Sequence, residues 1–413
     1  MRIINLTVNQ FRNYANLHSS RNIGQTYEYT RLKENQPKEK LFLGLIDNKE
    51  IIHAAVCIII NNISPIVKEG IAKDGFLIDY SNFSLVETFT KELTKYLKKA
   101  KITYLSVDPM FVKCIYDRKD RIIENNGNVL DNLIRLDYQN LGYTNEFEKY
   151  DVVIENYNST SDIYKNFNRN TKRNIKESME MGITLHKGSE KDLETFYEMV
   201  KKKKNLNINY YRDLLETYNT KNNKMEIFFT KLNVNKFLIN SKKLYDKAKE
   251  KNEKINKKLQ NIKNNTNDSL YNKKLESDKT VNKYHNYLEM ANKIGINNEK
   301  EITIATTAII RNNKEVYFLI DGYNDKYRYI HSSHTLKWAI IEKYYKIGYN
   351  KFNLGEIHNT YFSKINKYHG QYLYKMGFGG KIVEYPPHLR LIINKPVYSA
   401  YQQLNKITKK SEK

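Results

Sequence analysis

Apolar positions fall into two kinds of run along this chain, and the same order of runs occurs twice. Residues 41–46 and 51–60 flank the polar Asp47, Asn48 and Lys49, the signature of a β-hairpin. Leu85, Val86, Phe89, Leu93, Tyr96 and Leu97 then recur at helical spacing, and residues 102–107 predict a strand that stops at Asp108 and Pro109. The order returns with residues 302–310, a turn over 311–314, and residues 315–320. A helical stripe of Leu336, Ala339, Ile340, Tyr344 and Ile347 follows, then a short strand at 351–354. Two copies of hairpin, helix and strand predict a duplicated α/β unit.

Between the copies, residues 236–294 are rich in lysine and asparagine, contain no proline and hold few apolar positions. Tyr245, Ala248, Ile255, Leu259 and Ile262 keep a three-four spacing; after a polar break at 264–269, Leu270, Val281, Tyr284, Leu288 and Ala291 do the same. That pattern predicts an antiparallel helical hairpin of two ~25-residue helices, each about 35 Å long.

Candidate chemistry lies on three stretches. Residues 163–179 predict one helix, stopped by Gly182, with Arg169, Lys172, Arg173 and Lys176 on one face and Ile163, Phe167, Ile175 and Met179 on the other. Such a stripe suits a phosphate-rich ligand and equally suits a solvated face. The lysines at 201–204 precede Tyr210 and Tyr211, a mixture that fits phosphate and base contacts or plain solvation. Residues 370–380 read GQYLYKMGFGG, where glycines and Lys375 together suggest an anion site. His331, Ser332, Ser333 and His334 form a weaker constellation. Neither a G-x-S-x-G elbow, a Walker loop nor H-E-x-x-H occurs, which disfavours hydrolases and nucleotidases.

Composition narrows the partner class. The chain has 413 residues, Lys+Arg 70 against Asp+Glu 46, and a formal charge of +24, which favours a polyanion such as tRNA or an anionic membrane surface. Abundant lysine and asparagine also reflect composition bias. With two cysteines, Cys57 and Cys114, and no metal-ligand spacing, a disulfide scaffold is excluded and no metal is expected. The longest apolar run, 51–60, is about half a membrane span, and residues 1–20 draw no signal-peptide core, so a cytoplasmic location is expected.

Several strings, in order, resemble the Fem-type family of peptidoglycan aminoacyltransferases. Gln25, Thr26, Tyr29 and Lys33 resemble its Q-S-x-x-W-x-x-x-K; IAKDGFLIDY at 71–80 resembles P-R-G-P followed by two apolar residues and D-Y. NRNTKRNIKESMEMG at 168–182 resembles its basic helix, and YKMGFGGKIVEY resembles its F-K-x-x-F-G-G segment. The resemblance implies an α/β fold of two GNAT-like (acyl-CoA N-acyltransferase-like) domains with an inserted antiparallel coiled-coil arm. It places the first domain at 1–155, the second at 156–235 and 295–396, the arm at 236–294, and a C-terminal helix at 397–413 that packs back on the first domain. It further implies aminoacyl-tRNA as donor, no cofactor, and as acceptor an amine on the stem peptide of lipid II or UDP-MurNAc-pentapeptide, with peripheral membrane association where the acceptor is lipid-linked. Carried over residue by residue, Lys33 would hold acceptor phosphates and Asp79 would stand near the reacting amine. Tyr374 and Lys375 would flank the tRNA acceptor end, with Arg169, Lys172, Arg173 and Lys176 on its backbone. Lys73, in a segment lacking the family's proline and arginine, and Lys204, ahead of Tyr210 and Tyr211, would supply charge to the substrate, with Tyr211 beside it. A CoA-dependent N-acyltransferase and a non-catalytic tRNA-binding protein are the competing classes; Tyr374 stands where a CoA-binding G-x-G would want Gln or Arg.

Overall fold

A computed structural model describes residues 1–19, 23–146, 148–260, 268–295, 300–312 and 315–411. The expected arm break at 264–269 and the turn at 311–314 lie partly outside them, and Ile262 wholly so.

The two apolar hairpins seed two sheets. The first runs Arg2–Asn5, Lys40–Ile46, Ile52–Ser64, Val67–Ala72, Tyr104–Val107, His388–Ile392, Tyr138–Gly142. The second runs Ile183–Lys187, Lys224–Asn233, Glu301–Arg311, Glu315–Tyr323, Lys351–Ile357, Tyr150–Glu155, Lys381–Glu384, Cys114–Tyr116, Ile122–Asn125. Each contains one parallel pair, joined by a crossover helix: Val67–Ala72 with Tyr104–Val107 through Phe83–Lys99, and Glu315–Tyr323 with Lys351–Ile357 through Ser332–Lys346. Parallel neighbours need such a crossover, and its length matches the helical stripes read from the sequence.

Residues 54–60 of strand Ile52–Ser64 are continuously apolar because both faces are buried there. Ala54, Val56, Ile58 and Ile60 join one core with Phe89 and Leu93, while Ala55 and Cys57 pack on Phe11 and Ala15. The second sheet repeats this: Ala305 and Ile309 face Leu336 and Ile340, whereas Ala308 and Ile310 face Phe196 and Tyr211.

The chain passes between sheets more than a linear division at 155 and 396 allows. Cys114–Tyr116, Ile122–Asn125 and Tyr150–Glu155 belong to the second sheet, and His388–Ile392 inserts into the first. Helix Lys395–Ser411 lies on the first sheet, where Tyr398 meets Tyr104 edge-on at 5.3 Å. The arm is the helix pair Val234–Gln260 and Asp268–Gly295, inserted between strands Lys224–Asn233 and Glu301–Arg311, which pair directly. Its seam includes Ala248, Tyr287 and Ala291, and Asn252 donates to Ser277 (3.2 Å) and Asp278 (2.7 Å).

Residues 163–179 form two helices rather than one. Thr160–Asn166 ends at the extended Phe167 (ψ 145°), and Asn168 caps Arg169–Glu180 by accepting from the Thr171 N–H at 2.7 Å. Met179, expected on the apolar face, is exposed. The break lets the GFGG segment tuck beneath: Asn168 N donates to Gly377 O at 2.9 Å. At Gly380 an added Cβ would lie 2.7 Å from Val152 Cγ1 and 2.9 Å from Val153 O. Gly380→Ala should therefore destabilise the fold by roughly 1–3 kcal/mol, measured as a lower urea midpoint in the fluorescence of Trp338, the sole tryptophan.

Candidate active site

Strands Glu315–Tyr323 and Lys351–Ile357 pair only from Glu315–Lys351 to Tyr317–Asn353 and then part. The parting is local chemistry. Gly355 takes φ 82°, a left-handed conformation that favours glycine, and a Cβ there would sit 3.0 Å from Phe318 O and 3.3 Å from Lys375 Nζ. Lys375, on helix His369–Met376, fills that space, is 7% exposed, and donates to Glu356 O at 2.7 Å. Burial, with Lys337 nearby, lowers its pKa to about 8, partly offset by the carboxylates of Asp321, Asp151 and Glu356. Asp151, buried and accepting from Asn353 Nδ2 at 2.6 Å, is pushed up by that burial.

A second lysine, missed in the sequence, lies under the notch. Lys337 is 1% exposed, with Nζ 3.0 Å from Asp321 Oδ2 and 3.8 Å from the Phe318 ring centroid. Asp321 also accepts from Thr307 Oγ1 at 2.7 Å. A β-bulge puts it there: Ile309 opposes Phe318 but Ala308 opposes Ile320, so the alternation slips and Asp321 lands on the Phe318 side. The available signal was an aspartate closing an apolar strand and a lysine within an apolar helical stripe.

Tyr374 is tied to the same place, donating to Ser333 O at 3.0 Å and meeting His334 edge-on at 4.8 Å. Burial drives His334 down to about 4, so that ring is neutral, and His331 is the left-handed residue (φ 58°) that opens helix Ser332–Lys346. Lys204 Nζ lies 3.8 Å from Glu356 Oε2. Lys375, Tyr374 and Lys204 are thus brought together. Three of the glycines in this segment have close packing partners. Gly377 packs against Thr171, Gly379, at φ 80°, against Asn166, and Gly380 against Val152 and Val153.

The first half contributes a second polar group. Lys73 Nζ pairs with Asp108 Oδ2 at 2.7 Å; His388 bonds Asp108 through Nδ1 and Glu148 through Nε2 at 2.7 Å. Buried Gln25 holds this segment, accepting from Cys57 N (2.8 Å) and donating to Lys73 O (2.7 Å), and Gly24 N donates to Asp74 at 2.7 Å. The negative charge of Asp74 reaches Tyr317 and Tyr385 of the second half, so the two halves face one another here.

The remaining candidates are dispersed. Lys33 is exposed beside Glu216 (3.8 Å), with its N–H on Asp213. Tyr211 is a core residue packed edge-on to Phe196 at 5.2 Å. Asp79 is exposed, accepts from Ser81 Oγ at 2.6 Å, and has His18 as its electrostatic neighbour. Arg169, Arg173 and Lys176 are exposed, whereas Lys172 leans back to donate to Lys165 O at 2.7 Å. Glu177 links this helix to Lys283 of the arm at 2.5 Å. Among the described residues, no helix is long and apolar enough to cross a membrane.

A mixed α/β unit present twice, with a lysine held in the splay of one copy, is the frame of an acyl-transferring enzyme. The chain belongs to the FemAB family, whose model matches residues 6–406, and it is an aminoacyltransferase. Aminoacyltransferase FemA of Staphylococcus epidermidis is 26% identical over 424 residues, covering 99% of this chain and 100% of that protein. FemA of Staphylococcus aureus strain MRSA252 is 25% identical over 416 residues, covering 98% and 99%. The crystal structure of FemX matches with a TM-score of 0.72 at 13% identity, over 97% of this chain and 99% of that one, a likeness of fold: two mixed α/β sheets with an inserted helical arm.

The hydrogen bond to Asp108, opposed by burial and helped by Glu148, raises His388 to about 9. A raised histidine pKa stabilises fully below the unfolded value of ~6.5, and that contribution is lost as pH climbs through 9. With the ring 18% exposed, about 2 kcal/mol is expected. His388→Gln should lower the urea midpoint at pH 6 and much less at pH 10; an equal drop at both would exclude the charged network.

Proposed function

We propose that this enzyme transfers an amino acid from aminoacyl-tRNA to a stem-peptide amine of a peptidoglycan precursor, lipid II or UDP-MurNAc-pentapeptide. The observation that carries the reading is Lys375, buried at the parting of a parallel strand pair in a FemAB-family aminoacyltransferase. The acceptor nitrogen attacks the ester carbonyl, the carbon–oxygen bond to the ribose breaks, and the ribose oxygen takes a proton. Lys375, while charged, stabilises the developing oxyanion in a site where little water competes. Tyr374 fixes the end of its helix on Ser333. Acceptor phosphates meet the exposed Lys33 and the half-buried Lys73 on the first-half side, with Lys204 at the rim and Tyr211 supporting from the core. Asp79 takes the amine's proton. The tRNA backbone runs along Arg169, Lys172, Arg173 and Lys176, supported by a formal charge of +24. A lipid-linked acceptor brings the enzyme to the membrane's inner face.

Purified enzyme, aminoacyl-tRNA and either precursor should give a product heavier by one amino-acid residue in mass spectrometry, and no product with either would sink the reading. Lys375→Met should lower transfer by about 10²-fold or more. Because the ammonium is the active form, the wild-type rate should fall above pH about 8, the value set by burial and Lys337. Lys375→Arg should move that fall upward. In the same assay a near-normal rate for Asp79→Asn would assign the proton to a substrate oxygen.

Replacing Arg169, Lys172, Arg173 and Lys176 with glutamine should weaken tRNA binding and flatten its salt dependence, the log–log slope shrinking by about 0.9 for every phosphate left without its cation. An unchanged slope in filter binding would move the tRNA elsewhere.

A further inference from the structure

The donor in this reading carries a free α-ammonium one carbon from its ester. A site that sets the ester beside Lys375 must also receive that cation, and both Lys375 and Lys337 repel it. We propose that Asp321 is the carboxylate that receives it, making Asp321 a specificity-determining residue that selects donors with a free α-amino group. This inference rests on the proposed function.

Three observations point to Asp321 among the carboxylates around Lys375. Asp151 is 7% exposed and already takes the Asn353 amide. Glu356 is engaged from the rim by Lys204 at 3.8 Å, and its backbone oxygen holds Lys375. Asp321 is both fixed and open: Thr307 and Lys337 grip it, Lys337 being 1% exposed, yet 24% of the aspartate side chain reaches solvent. Lys337 therefore approaches from inside the protein, and the free side of the carboxylate faces outward. Asp321 lies four residues and Glu356 three residues past Tyr317 and Asn353, the last positions at which the two parallel strands pair with each other, so the two flank the opening. Lys203, stacked on Tyr323 at 4.7 Å, adds positive charge near the outer edge. The charge of Asp321 is felt at Lys375, so an ammonium whose ester carbonyl is directed at Lys375 lies within reach of that carboxylate, and Lys337 acts as a positioning residue for Asp321.

The test compares an aminoacyl-tRNA that the enzyme uses with the same tRNA carrying the corresponding α-hydroxy acid, prepared by nitrous acid deamination. Wild-type enzyme should prefer the amino donor by at least about tenfold in kcat/KM. Asp321→Asn should lose most of that preference by falling on the amino donor alone. Asparagine leaves Lys337 buried without its counter-charge, so Asp321→Asn/Lys337→Met, which removes both charges, is measured beside it and should behave alike. Equal use of both donors by wild-type enzyme, or an equal loss on both in the variants, would overturn the inference while leaving the proposed function standing. Transfer from neither donor by wild-type enzyme would overturn both.

Discussion

Two lysine ammonium groups are kept out of bulk water at one place in the second sheet, and much of the surrounding structure answers the cost of doing so. A buried ammonium without partners would lose its proton or unfold the site. Lys337 is answered by Asp321 at 3.0 Å and by the face of Phe318; Lys375 is answered by a backbone oxygen and by the charges of Asp321, Asp151 and Glu356. The answers are unequal, and that inequality is useful. A full ion pair holds Lys337 against the burial that lowers its pKa, whereas Lys375, lowered to about 8, has a carbonyl and more distant charges.

Placing Lys375 there depends on glycines spread over two segments. Gly355 leaves room for the amine, while Gly377, Gly379 and Gly380 let the chain after the lysine run against the break between helices Thr160–Asn166 and Arg169–Glu180. The basic helix and the lysine are thereby parts of one packed unit, with Phe378 edge-on to Phe167 at 5.2 Å and Phe167 edge-on to Trp338 at 5.2 Å. Charge on the helix surface and chemistry in the notch hold a fixed relation because the aromatic cluster between them leaves little freedom.

Much of this was legible from periodicity. Hairpins, crossover helices and the arm are local patterns, and runs such as 51–60 stand out because both faces of those strands are buried. What stayed hidden is non-local. That His388–Ile392 would enter the first sheet and Tyr150–Glu155 the second depends on partners about two hundred residues or more away in sequence. The break at Phe167 escaped because the basic and apolar stripes run through it in register, and only the docking of Gly377 shows why the chain must turn. Lys375, Tyr374 and Lys204 were found from local strings and do meet. Asp321 and Lys337 were not, since a bulge of one residue, invisible to pattern, turns the aspartate toward the lysine. Tyr211 shows the reverse error: a tyrosine beside a basic run reads as a ligand contact, yet its ring fills the core.

The two copies of the α/β unit have diverged in what their parallel pairs hold. In the first, Lys73 and Asp108 sit just past Ala72 and Val107, the last paired positions, and Lys73 is 42% exposed. In the second, Lys375 lies behind the strands and is almost wholly enclosed. A half-exposed lysine paired with carboxylates keeps its charge at any physiological pH and can bind a phosphate only weakly against water. An enclosed one exerts a stronger field but loses its proton more easily. Under the proposed function this division is the one the chemistry asks for: holding the acceptor needs a constant charge that lets go after turnover, while the ester needs a strong field at one oxygen. The two parallel pairs offer similar openings, and differing burial of one lysine at each is enough to set their separate tasks.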